Sequence, residues 1–137
     1  MKAVLDTNIF VSVINWSGPS EKVLKAWFLN KFRLVSSIET VDEFVKTMTS
    51  FKVPMKIEDI LWWESLILEK SELVVPKRKI NVVKDDPDDN KFVEAAFEDK
   101  ADYIVTQDGH LLDIKEFEGI KIVTPEEFLN ILGTNQS

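Results

Sequence analysis

Lys2-Ala3-Val4-Leu5-Asp6-Thr7-Asn8-Ile9-Phe10 is the stretch whose reading decides the fold. A short apolar run stops at Asp-Thr-Asn, and a second apolar run begins at once. A strand covered on both faces carries apolar side chains on both, so Ala3-Val4-Leu5 reads as a central parallel strand. Asp6 then stands at its carboxyl end, where open α/β sheets place their ligands.

Downstream, strand and helix patterns alternate. Val23, Leu24, Trp27 and Phe28 give one apolar face to a helix over 20–32, after a break at Trp16-Ser17-Gly18-Pro19. Phe32-Arg33-Leu34-Val35 reads as a second strand, with Ser36 or Ser37 capping a helix over 38–49. The stripe of that helix is Ile38, Val41, Val45 and Met48, with Glu43 nearly opposite, facing either solvent or a cleft. A turn around Pro54 leads to a helix over 57–71 with Ile57, Ile60, Leu61, Ile67 and Leu68 as its core stripe. Trp62, Trp63 and Leu66 lie off that stripe, which points to a second packing surface and self-association as a homodimer or higher homo-oligomer. Glu72 to Pro76 reads as a strand, and Lys77-Arg78-Lys79 as either a solvated loop or an RNA backbone contact. A helix follows Asp88-Asp89, then come strands Tyr103-Ile104-Val105 and Ile120-Lys121-Ile122-Val123, with a short helix or loop over 111–117 between them. Thr124-Pro125-Glu126-Glu127 opens the last helix and Gly133 ends it. The pattern predicts one three-layer α/β/α domain over 1–132, built on a mostly parallel, twisted sheet of four to five strands, with a polar tail over 133–137.

Composition narrows the chemistry by elimination. The 137 residues include no cysteine, so disulfides, thiolate zinc sites and thiol nucleophiles are excluded. His110 is the single histidine, which excludes paired-histidine catalysis within one chain. No Gly-rich phosphate loop and no G-x-S-x-G elbow occurs. Carboxylate remains in quantity, 24 Asp and Glu against 17 Lys and Arg, for a net charge of −7. Such a chain gains little from unspecific attraction to nucleic acid, so binding of that kind has to be local or metal-mediated. No apolar run approaches the roughly 20 residues that cross a bilayer, and nothing at the N-terminus reads as a signal peptide. A cytoplasmic protein without a membrane partner is expected.

The acids then converge by fold logic. Asp6 and Asp108 both follow three-residue apolar strands, and parallel strands end along one sheet edge. Asp88 and Asp89 begin the helix leading into the Tyr103 strand, and a helix antiparallel to that strand starts at the same edge. Glu43 is permitted by the pattern without being selected by it. Each acid also has a plainer explanation: Asp6 as a helix cap, Asp88-Asp89 as a helix N-terminus, Asp108 as a turn residue. Jointly these weaken, because crowded carboxylates repel unless they are protonated or bind metal. An octahedral Mg²⁺ or Mn²⁺ held by a few carboxylates and several waters would relieve the repulsion and activate water toward a phosphodiester.

Leu5-Asp6-Thr7-Asn8, Glu43, Asp86-Pro87-Asp88-Asp89-Asn90-Lys91-Phe92 and Ala101-Asp102-Tyr103-Ile104-Val105-Thr106-Gln107-Asp108 together resemble the four signatures of PIN-domain ribonucleases. Val123-Thr124-Pro125-Glu126-Glu127-Phe128 is similar to the end of the VapC-like branch, the toxin components of toxin–antitoxin pairs. The resemblance implies a Mg²⁺- or Mn²⁺-dependent endoribonuclease acting on single-stranded RNA, with a protein antitoxin as partner. It implies that Asp6, Glu43, Asp89 and Asp108 hold metal and orient water, with Thr7, Asn8 and Thr106 bonding to them. Relatives often carry an acid where this chain has Asn90, which leaves Asp89, Asn90 or Asp86 for the third position. His110, where relatives often carry an acid, reads as a surface residue. The alternative function is a non-catalytic binding or scaffold module on the same fold. A phosphoaspartate enzyme would need a second Asp at position 8, which is Asn, and a receiver domain would need an acid pair on the first strand.

Overall fold

The computed structural model describes residues 1–14, 18–50 and 55–133. The expected break at Trp16-Ser17, most of the turn around Pro54 and the tail beyond Gly133 lie outside the described residues.

Strands β1 (Lys2–Leu5), β2 (Arg33–Ser37), β3 (Ser71–Val74), β4 (Tyr103–Val105), β5 (Glu116–Phe117) and β6 (Ile120–Val123) form one sheet in the order β3-β2-β1-β4-β6-β5. All neighbours are parallel except β5, which pairs antiparallel with β6. The mostly parallel sheet is as expected from sequence. The sixth strand is the two-residue β5, in the stretch expected as a helix or loop. The helices are α1 (Thr7–Val11), α2 (Gly18–Phe28), α3 (Ile38–Ser50), α4 (Ile57–Glu69), α5 (Asn90–Glu98), α6 (Gly109–Leu112) and α7 (Pro125–Leu132).

Alternation along β1 shows how the layers form. Ala3 and Leu5 join the core under α1, α2, α3, α4 and α7, whereas Val4 joins the opposite core with Phe92, Val93 and Ala96 of α5. All three strand residues are fully buried, which is why the run is continuously apolar. The chain winds from β1 outward to β2 and β3, then returns to place β4 on the other side of β1. The strand order therefore reverses between β1 and β4, and such a switch point opens a crevice at the strand carboxyl ends. Leu5 pairs with Val105, so the residues that follow, Asp6 and Thr106, emerge side by side.

Several boundaries differ from the periodicity. The first helix starts at Thr7, directly after Asp6. Helix α2 stops at Phe28 because Asn30 turns left-handed (φ 59°) and the Lys31 amide closes back on the Ala26 carbonyl. Ser37 caps α3 reciprocally with Thr40: each backbone amide donates to the other's hydroxyl, at 3.0 and 3.2 Å. The buried stripe of α3 is Val41, Phe44 and Met48, while Ile38 is half exposed. Phe44 takes the inner position because its ring meets Phe10 edge-on, at 5.7 Å. On α4, Ile60 and Ile67 are buried, Trp63 packs against Phe28, and Ile57, Leu61, Trp62 and Leu68 remain outside. The core therefore takes only part of the expected stripe, since a helix apolar on several sides does not reveal which side faces inward. Helix α7 begins with the expected capping box between Thr124 and Glu127, and Gly133 ends it at φ 75°.

Candidate metal centre

The crevice between β1 and β4 gathers the acids. Asp6 follows β1 directly and is 4% exposed. It occupies the N-cap position of α1 without a side-chain capping hydrogen bond. Its Oδ2 instead accepts from the Thr106 hydroxyl at 2.6 Å. The same Thr106 oxygen accepts from the Asp108 amide at 2.9 Å, so one buried hydroxyl joins the ends of the two central strands. Burial pushes the Asp6 carboxyl up, the Thr106 hydrogen bond pulls it down, and the Glu43 and Asp108 charges push it up again.

Asp89 arrives from the other layer. A single 3₁₀ turn, Pro87–Asp89, precedes α5, and it exposes Asp88 while burying Asp89. Asp89 is 7% exposed, and its Oδ2 is buried without a hydrogen-bond partner. Burial raises its carboxyl to about 9, helped by a hydrogen bond shared with Asp108 and by the charges of Asp6, Asp108 and Asp86. Asp108 is held low by the same shared bond, against its partial burial, and by the His110 amide that donates to its Oδ1 at 2.9 Å. The two carboxyls are thus pushed in opposite directions, Asp89 up and Asp108 down.

Glu43 reaches the crevice from the solvent-side flank of α3. Its Oε2 accepts from the Thr7 hydroxyl at 2.7 Å, and its Oε1 lies 2.9 Å from Lys91 Nζ. The half-buried position answers the question left by the helical wheel: Glu43 faces the cleft. Lys91, at the start of α5, has no counterpart in the sequence reading.

The remaining residues have separate places. Asn90 is buried beneath the loop before α5. Its Oδ1 accepts from the Val82 and Val83 amides at 3.0 and 2.9 Å, and its Nδ2 donates to the Pro87 carbonyl at 3.0 Å. It fastens residues 82–87 and uses its polar atoms in doing so. The side chain of Asn8 is exposed, and its backbone amide helps to pull the Asp6 carboxyl down. Asp86 is half-buried and, with Asp108 and the exposed His110, offers ligand atoms within 4.8 Å of one another. Arg78 pairs with Glu118 at 2.8 Å and lies over the Phe97 ring at 4.7 Å, so it is engaged within the chain.

A donor set dominated by carboxylate oxygen suits a hard divalent cation. The partnerless Asp89 Oδ2, in a cluster of mutually repelling acids, is the atom a cation would satisfy. Among the described residues, the acids and histidine whose ligand atoms come within 4.8 Å of one another are Asp86, Asp108 and His110; Asp89 feels the charges of Asp6, Asp86 and Asp108, and Glu43 stands at the rim. The protein is thus of the class that carries an acid cluster at the switch point of a parallel sheet.

A family model for the PIN domain matches residues 2–110. The chain belongs to the PIN domain family. An uncharacterized protein of Methanocaldococcus jannaschii is 32% identical over 146 aligned positions, covering 94% of this chain and 90% of that one. Among solved structures, VapBC2 from Rickettsia felis, bound to a DNA fragment from their promoter, superposes with a TM-score of 0.61 at 17% identity. The match covers 90% of this chain and 98% of that one. VapBC-1 from nontypeable Haemophilus influenzae gives 0.59 at 19% identity, over 92% and 99% of the two chains. These likenesses show that the fold is shared. No described helix is long and apolar enough to cross a membrane.

Proposed function

We propose that this chain is a Mg²⁺- or Mn²⁺-dependent endoribonuclease that cleaves single-stranded RNA, and that it is the toxin of a toxin–antitoxin pair. The observation that carries the reading is the pair Asp6 and Asp89, both more than nine-tenths buried beside Asp108, with Asp89 Oδ2 left without a partner. Buried acids without a compensating cation cost stability, so a fold that keeps them is using them. A bound divalent ion supplies the acidity that activates water and the charge that stabilises the leaving oxygen.

The chain's own contribution is alignment. Thr106 holds one oxygen of Asp6, Thr7 holds one oxygen of Glu43, and the His110 amide holds one oxygen of Asp108. The other Glu43 oxygen is paired with Lys91 Nζ. Glu43, held at the rim by Thr7, is the base best placed to take a proton from an attacking water.

The antitoxin partner is inferred from the fold shared with the VapBC structures. A homodimer is inferred from the outer face of α4, where Trp62 is 58% exposed beside Ile57 and Leu61.

Incubation of the purified protein with labelled single-stranded RNA and Mn²⁺ tests the reading. Internal cleavage that stops in Asp6→Asn is expected. Cleavage by Asp6→Asn at the wild-type rate would assign the activity to a contaminant. Mn²⁺ binding without cleavage would leave the fold as a binding or scaffold module.

A further inference from the structure

Glu43 spends both of its carboxylate oxygens within the chain, one on the Thr7 hydroxyl and the other on Lys91 Nζ at 2.9 Å. The two members of that ion pair keep only 20% and 22% of their side-chain exposure, so solvent screens the pair poorly. Among the described residues, Lys91 is the one lysine or arginine paired with any of Asp6, Glu43, Asp89 or Asp108. It also borders an open groove of about 430 Å³ shared with Lys79, Asn81, Asp88 and Glu94. The ammonium therefore has both an acid to neutralise and an open space to withdraw into.

We propose that Lys91 is the resident counter-ion of the acid cluster and that a divalent cation must displace it from Glu43 to bind with full coordination. The inference rests on the metal-dependent reading above and adds a residue outside its acid set. A lysine within reach of the cluster repels a second cation, and the repulsion is strong where water is scarce. Its ion pair also occupies the Glu43 oxygen that an ion or its bound water would use. In the absence of metal, the Thr7 hydroxyl keeps Glu43 aligned and Lys91 balances its charge. A purely structural lysine would behave oppositely, since its loss would loosen Glu43 and weaken metal binding.

Calorimetric titration of Mn²⁺ into the metal-free protein discriminates between these, using wild type, Lys91→Met, Lys91→Gln, Lys91→Arg and Asp6→Asn. Lys91→Met and Lys91→Gln should bind Mn²⁺ about tenfold more tightly than wild type with unchanged stoichiometry, the scale of removing one nearby charge at partial exposure. Lys91→Arg should restore the wild-type affinity, and Asp6→Asn should not bind. Two neutral variants are included so that a melting temperature lowered in one does not decide the result. Unchanged or weaker Mn²⁺ binding by a folded neutral variant, beside a wild type that binds, would overturn this inference alone. Absence of binding in wild type and in both neutral variants would overturn the metal-dependent reading with it.

Discussion

Thr7 Oγ1 donates to Glu43 Oε2 at 2.7 Å, joining the turn after the first strand to α3 across 36 residues of sequence. Thr7 is buried, so the bond is sheltered and sets the direction of the Glu43 carboxylate. Thr7→Val keeps the shape and deletes the donor. A stability loss of about 1 kcal/mol is expected, typical of one hydrogen bond. RNA cleavage should fall more sharply, by about tenfold, because a misdirected general base loses its geometry. Thr7→Ser should retain most of both. Chemical denaturation and single-turnover cleavage measure the two effects separately.

The raised Asp89 carboxyl makes metal binding and stability depend on pH in opposite senses. Its folded value of about 9 lies well above the ordinary 3.8, through burial first and the Asp108, Asp6 and Asp86 interactions after it. Without metal, the folded chain holds a proton there that the unfolded chain releases above the ordinary value. The stabilising contribution is therefore full in acid and is lost as pH climbs toward about 9. Metal must expel that proton, so Mn²⁺ affinity should rise by up to about tenfold per pH unit across the neutral range. Calorimetry in buffers of different ionisation enthalpy should register about one proton released per ion. Asp89→Asn should raise the melting temperature of the metal-free protein at neutral pH while abolishing Mn²⁺ binding. A lowered melting temperature would mean that the carboxyl is structural.

Much of this arrangement was legible in the sequence, and the exceptions share a cause. Asp6 and Asp108 follow from counting strand ends, because parallel pairing forces those ends to one edge. Asp89 follows from the direction of α5 relative to β4, although the choice between Asp88 and Asp89 needed the 3₁₀ turn that exposes one and buries the other. Glu43 was placed by resemblance, since a helical wheel gives a face and not a neighbour. Its neighbours, Thr7 and Lys91, lie 36 and 48 residues away along the chain. The α4 stripe was only partly right because Leu61 and Leu68 are as apolar as the residues that the core takes. Strand β5 has two residues, too few for any alternation to register.

Asn90 is the case in which a motif position and a structural role coincide. Its amide serves two backbone donors at Val82 and Val83 and returns a donor to the Pro87 carbonyl, which shapes the loop that delivers Asp86 and Asp89. Asn90→Asp would introduce the acid common in relatives. Here it would remove the amide donor and bury another charge among acids, so a stability loss of about 2–3 kcal/mol is expected. Mn²⁺ affinity should not improve. Tighter Mn²⁺ binding in Asn90→Asp at unchanged stability would show that position 90 faces the ion.

The outer face of α4 makes the oligomer testable without disturbing the core. Ile57, Leu61 and Trp62 are all about half exposed. Trp63 and Ile67, by contrast, are packed inward and hold the helix in place. Leu61→Glu combined with Trp62→Glu changes only side chains that solvent already reaches. The double variant should therefore fold, lose little stability and convert a dimer to a monomer by light scattering. Apolar faces of this kind gain their stabilisation on association, so the wild type should also show a melting temperature that rises with concentration. A wild type that is monomeric at all concentrations would remove self-association and leave the face to another partner.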